Sequence, residues 1–267
     1  MIAHSRSWWT EWRSPARWAI AVARALNNLA ALATIRGNFA AARELASEGL
    51  TIAVAQHEHG REALLLDTLA TVAYAECLFS EARSLAGRSL RVSDEVGYAA
   101  HRGRALAILG QIAYAEQEYE RAERCFEQSL RLWRGHRSRT MIARVTAERG
   151  RVEVRKGDAR GARSSFVAAI RELEDVGEML SIVRCLEHVA ELEVQQGRPS
   201  VALQLVGAAR RQRDELGAPL WPVELGPVTG VEQLARTMLG GSELAVIQSR
   251  RPLSLSEAVV LATTAAE

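Results

Sequence analysis

The chain has 267 residues, of which 48% are hydrophobic, 25% charged and 5% aromatic, with a formal net charge of +2. This balance excludes a wholly disordered chain, a collagen-like fibre and a surface of a single charge sign. Lysine occurs only at Lys156, so arginine carries nearly all the positive charge and no other position offers a lysine for a Schiff base or a phosphate loop.

The elements follow in chain order. The opening Met1-Ile-Ala-His-Ser-Arg-Ser-Trp-Trp lacks the apolar core of a signal peptide, and no segment reads as ~18 uninterrupted apolar residues, which predicts a cytoplasmic protein with no membrane association. Residues 5–13, with Trp8, Trp9 and Trp12, read as a short helix ahead of Ser14-Pro15, an N-cap and first-turn proline that start the next helix. From there a period sets the architecture. Small residues at Ala30, Ala70, Gly110, Gly150 and Ala190 lie forty apart, and an alanine stands twelve residues after each, at Ala42, Ala82, Ala122, Ala162 and Ala202. Larger apolar residues recur at Leu50, Leu90, Leu130 and Ile170, with Arg210 departing from the series.

Each unit reads as two helices. The first carries the small residue and the second its alanine, placed opposite so that the two backbones pack closely. The turns Arg36-Gly37-Asn38, Lys156-Gly157-Asp158 and Gln196-Gly197-Arg198 place a glycine where the left-handed conformation ends one helix, and Asn38 or Asp158 where a side chain caps the next. Gly97, Gly177 and Gly217 end second helices. A unit this small cannot bury its apolar stripe alone, so the units are expected to stack. The organisation predicted is a tryptophan-rich helix over 1–17, acting as a partial repeat or cap, five repeats over 18–222, and a helical cap over 223–267 interrupted by Gly226-Pro227 and Gly230.

The phrases Asn28-Leu29-Ala30, Gly37-Asn38-Phe39-x-x-Ala42 and Gly49-Leu50 resemble the tetratricopeptide repeat, as do Leu109-Gly110, Tyr119-x-x-Ala122 and Ser129-Leu130. The resemblance covers about 18 to 217 and implies an all-α, right-handed superhelical solenoid of helix-turn-helix units, here with a forty-residue period in place of the usual thirty-four. Leu205-Val206-Gly207-Ala208-Ala209-Arg210, Glu215-Leu216-Gly217-Ala218-Pro219-Leu220 and Ser254-Leu255-Ser256-Glu257-Ala258-Val259 resemble the closing segment of the repeat regions in large bacterial ATP-dependent transcriptional regulators of the MalT-like and LuxR-type families. That likeness implies a sensor or docking arm, with the ATPase and DNA-binding parts on another chain or lost.

No sequence motif for nucleotide binding, serine nucleophiles or zinc hydrolysis is found, so no enzymatic activity and no cofactor are expected. Glu187-His188 with Glu191 could place two carboxylates and an imidazole on one helix face. Without a matching pair on a facing helix, they read as a solvated acidic face with a packed histidine. His57-Glu58-His59 reads as a solvated loop, and the spaced thiols of Cys77, Cys125 and Cys185 as apolar filler in a reducing compartment. The repeat pattern puts Arg24, Leu64, Arg104, Arg144 and Arg184 at one position of successive first helices, the helices that line the concave groove of such a solenoid. Asn27, Asp67, Thr71, Tyr74, Gln111, Tyr114, Arg151, Arg155, Glu187 and Glu191 stand nearby. Guanidinium groups that hold two oxygens at once suit an acidic peptide or a terminal carboxylate. The competing reading pairs these arginines with glutamates of adjacent units, and it is favoured for Arg184 beside Glu187. A charge of +2 over this length does not make a phosphate-neutralising surface, so direct nucleic-acid binding is not expected. The partner expected is a protein or acidic peptide, with a small ligand as the alternative. At the tryptophan end a homodimer and a folded-back cap both remain open.

Overall fold

The structure, a computed structural model, describes residues 15–249 and 251–264. The tryptophan-rich segment with Trp8, Trp9, Trp12 and Ser14, on which the helix at 5–13, its cap and the dimer reading rest, lies outside the described residues. Among the described residues the fold is all-α, with no strand. The helices are α1 (Pro15–Ile35), α2 (Phe39–Ala55), α3 (His59–Ala75), α4 (Phe79–Glu95), α5 (Ala99–Ala115), α6 (Tyr119–Gly135) and α7 (Arg139–Arg155). They continue with α8 (Ala159–Val176), α9 (Met179–Gln195), α10 (Pro199–Leu216), α11 (Pro222–Met238), α12 (Gly241–Ser249) and α13 (Leu255–Thr264).

From α2 to α10 a helix begins every twenty residues, at Phe39, His59, Phe79, Ala99, Tyr119, Arg139, Ala159, Met179 and Pro199. One turn repeated throughout produces this cadence. At Lys156-Gly157-Asp158 the glycine takes φ 80°, its N–H donates to the Val154 carbonyl at 3.1 Å and the Asp158 N–H to the Glu153 carbonyl at 2.9 Å. Two carbonyls left over at the helix end are thereby satisfied. The Asp158 carboxylate then accepts from the Gly161 N–H at 2.9 Å, and the Asn38 side chain accepts from the Ala41 N–H at 3.3 Å, as their cap positions predict. At four of these turns the left-handed residue is not glycine: His57, Cys77, Gln117 and Arg137 have φ of 53°, 63°, 64° and 53°. His57-Glu58-His59 is therefore the same ordered turn, with His59 already in α3, and Cys77 is an exposed turn residue and not core filler.

At Gly110 and Gly150 the nearest neighbour differs from the alanine expected. A Cβ on Gly110 would lie 2.6 Å from the Phe126 ring and one on Gly150 2.7 Å from the Phe166 ring. The glycines make room for a ring sixteen residues on, not for the alanine twelve residues on. Where the small residue is Ala30 or Ala70, the position sixteen residues on holds a buried alanine, Ala46 or Ala86. Large is matched with smallest, and small with small, so the packed volume is kept.

The chain forms two compact units, 1–108 and 109–267, dividing inside α5. In the first, α1 packs on α2 and α3, and α3 on α4. α1 buries Ala23, Asn27, Ala30 and Thr34 and turns Trp18, Val22, Leu29 and Leu32 to solvent, with Trp18 61% exposed. By length and composition α1 could cross a membrane, contrary to the expectation that no segment would; spread over a helix rich in alanine and leucine, the interruptions at Arg24, Asn27 and Asn28 do not remove its apolar character. In the second unit α7 packs on α8 and α9, α9 on α10 and α11, and α13 returns to bury Ala258, Val259 and Ala262 against α8, α9 and α10. The interruption expected at Gly226-Pro227 does not occur. α11 runs through Pro227, and its start is fixed by Pro222 in the first turn and by the Glu224 carboxylate accepting from the Trp221 N–H at 3.0 Å.

Candidate functional site

In the first unit the named residues divide between surface and interior. Arg24 on α1 and Arg104 on α5 are exposed, whereas Asn27, Asp67 and Tyr74 are buried. The Asn27 side-chain oxygen accepts from the Thr68 hydroxyl at 2.8 Å, and the Thr71 hydroxyl donates to the Asp67 backbone carbonyl at 2.8 Å, so both polar groups are met inside the helical layer. The Tyr74 ring lies 6.1 Å from that of Phe79, a packing contact across the α3–α4 turn. Asp67 differs from all of these. It is 3% exposed, and neither carboxylate oxygen has a hydrogen-bond partner. Burial drives its pKa up to about 7, against the smaller opposing pulls of Ser89 and Arg104. The Ser89 hydroxyl itself donates to the Ala63 carbonyl at 3.1 Å.

In the second unit the arginines are largely engaged. Arg151 lies over the Tyr114 ring, 4.1 Å from its centroid, and binds Glu148 at 2.8 Å. Gln111 donates to the other oxygen of Glu148 at 2.8 Å. Arg155 donates to the Tyr114 hydroxyl at 3.1 Å and pairs with Glu191 at 2.7 Å. Burial raises the Tyr114 pKa, with Arg151 opposing it. Arg184 stacks on Trp221 at 4.1 Å and pairs with Glu224 at 3.0 Å, forty residues on, in line with the reading that pairs it with a glutamate of the adjacent unit, although the glutamate is not the neighbouring Glu187. Its acid sits on the next first helix, because Glu187 belongs to a stronger partner. The Arg213 guanidinium holds both Glu187 oxygens, at 2.6 and 2.8 Å, and also donates to the Ala218 and Pro219 carbonyls at 3.3 Å and to Glu224 at 3.2 Å. Arg144 is exposed on α7.

The Glu187, His188 and Glu191 face is thus not a solvated acidic one. Glu187 is 6% exposed and paired, Glu191 is held by Arg155, and His188 packs on Phe166 with ring centroids 6.1 Å apart. Burial lowers the His188 pKa well below the usual value, which keeps the imidazole neutral. Among the described residues no three metal-ligating side chains converge. Buried Cys185 has its thiol pushed up to about 12, chiefly by burial, and so is a poor nucleophile, and Lys156 is occupied by Glu123 at 2.8 Å.

Sequence reasoning missed Arg213, Glu224 and Trp221, which anchor this end of the second unit, and Ser93, whose buried hydroxyl lacks a partner. The signal was in the register: Glu187 and Arg213 are twenty-six residues apart, as are Asp67 and Ser93 three periods earlier. No protein-family model matches the chain, and no curated protein matches it.

Proposed function

We propose that the chain is a non-enzymatic docking scaffold, a solenoid of tetratricopeptide-type units that binds a protein or an acidic peptide in the cytoplasm, as the sensor or docking arm of a bacterial signalling or transcription-regulating assembly. The observation that carries this reading is the exposure of Arg24 and Arg104 in the first unit at one register position of the forty-residue helix-turn-helix period, a position that Arg144 occupies in the second unit. Exposed guanidinium groups can hold carboxylates with two parallel bonds. The row of Trp18, Val22, Leu29 and Leu32 on α1 supports self-association at that end as a further property.

The test is a panel of acidic peptides on the wild-type chain and on an Arg104→Ala, Arg144→Ala variant. Each lost charge-assisted contact should weaken binding by about 1.5–3 kcal/mol, with an unchanged helical spectrum. Equal binding by both proteins refutes the site.

A further inference from the structure

Within the second unit, α10, α11 and α12 enclose a solvent-open cavity of about 160 Å³. Its apolar walls are Leu203 and Val206 on α10 and Leu244 and Ile247 on α12. In each pair the two residues stand three apart, so they share one helix face. Gly207 also lines the cavity and is exposed, and a Cβ there would meet no atom within 4 Å. This glycine leaves space open, whereas Gly110 and Gly150 are filled by a ring. The polar part of the lining is unbalanced. Arg236 donates to one Glu232 oxygen at 2.8 Å, and Arg210 donates to the other. Two guanidinium groups on one carboxylate leave one positive charge over. Both arginines are exposed, and among the described residues Arg210 donates only through its Nη2.

We infer that this cavity binds a small organic anion, a carboxylate carried on a compact apolar group of about six carbons, the size that an apolar cavity of about 150 Å³ holds as benzene. The apolar group displaces water from the Leu203, Val206, Leu244 and Ile247 walls. The carboxylate takes the guanidinium N–H groups that Glu232 leaves unused, and the surplus positive charge selects an anion over a neutral or cationic ligand. Arg24, Arg104 and Arg144 do not line the cavity, so the site is independent of the acidic-peptide surface and can be tested without it.

Sodium benzoate is titrated into the intact chain beside benzamide, its uncharged counterpart, and sodium acetate, which lacks the ring, and binding is read from the relaxation of each probe's protons. The wild type should bind benzoate saturably, with benzamide and acetate each at least about tenfold weaker. Gly207→Leu places a side chain in the cavity at a helical position where a Cβ meets nothing, so it should fold with an equal or higher thermal midpoint and lose benzoate binding. Arg236→Gln leaves one guanidinium to one carboxylate and should weaken benzoate at least about tenfold. Should Gly207→Leu fail to fold, Arg236→Gln decides alone. No saturable binding, benzamide binding as tightly as benzoate, or benzoate binding that either folded variant leaves unchanged overturns the assignment.

Discussion

Gly110 and Gly150 show how one missing methyl group shapes a repeat. With the Phe126 and Phe166 rings at 2.6 and 2.7 Å from where a Cβ would stand, Gly110→Ala forces the ring or helix to shift and should destabilise the chain by about 1–3 kcal/mol in urea denaturation. Adding Phe126→Ala recreates the alanine–alanine pairing of Ala30 and Ala46, so the double variant should lose less than the sum of the two single losses. Strict additivity would mean that the ring and the glycine are uncoupled. Asp67 gives a pH signature at the same scale. Its folded pKa of about 7 lies above the unfolded value, so folding favours the protonated form. The stabilisation is full below about pH 4 and is lost as pH rises through about 7, by at most about 4 kcal/mol. Asp67→Asn should therefore gain stability relative to the wild type between pH 5 and pH 8, and a difference that stays constant over that range contradicts the assignment. The forty-residue pattern put Asp67 among residues of a partner-binding groove, whereas its side chain is buried. Its isolation was not legible, because that depends on which side chain stands twenty-six residues later on the facing helix.

At the scale of the element, the turns decide where helices stop. Asn38 and Asp158 were readable as caps because a short acceptor follows glycine at both places, and both caps form. The turns at His57, Cys77, Gln117 and Arg137 were harder to read, because the residue that adopts the left-handed conformation carries a side chain there. The helix on either side packs well enough to impose that conformation. Arg137→Gly and Gln117→Gly should each raise stability by about 1 kcal/mol, the left-handed penalty less the extra unfolded-state entropy of glycine, seen as a higher thermal midpoint. Gly157→Ala, at φ 80°, should lower it. Pro227 teaches the converse. A proline and two glycines read as breaks, yet α11 continues, because packing against α9 and α10 outweighs one missing backbone bond. The pairing of Arg184 with a glutamate of the adjacent unit was legible as a class, but its particular acid, Glu224, was not, because Arg213 claims the nearer Glu187.

For the whole molecule, composition and period together announced an all-helical chain, since alanine, leucine, arginine and glutamate at helical spacing leave little else. The return of α13 onto α8, α9 and α10 was not visible, because no periodic partner in the sequence marks it. The stack of interchangeable units proposed for this chain would differ from a single cooperative core in what it can lose, since the stability of such a stack is close to a sum over units and their nearest-neighbour interfaces. Excising residues 99–138, one full period from the start of α5 to the start of α7, joins Tyr98 to Arg139 in the same register. Far-UV circular dichroism followed through a urea titration is the direct measurement. The shortened chain should remain folded, keep its helical signal per residue, and unfold with a smaller dependence on urea in proportion to the surface removed. A chain that loses its helical signal, or unfolds without a transition, would contradict a repeat-built scaffold.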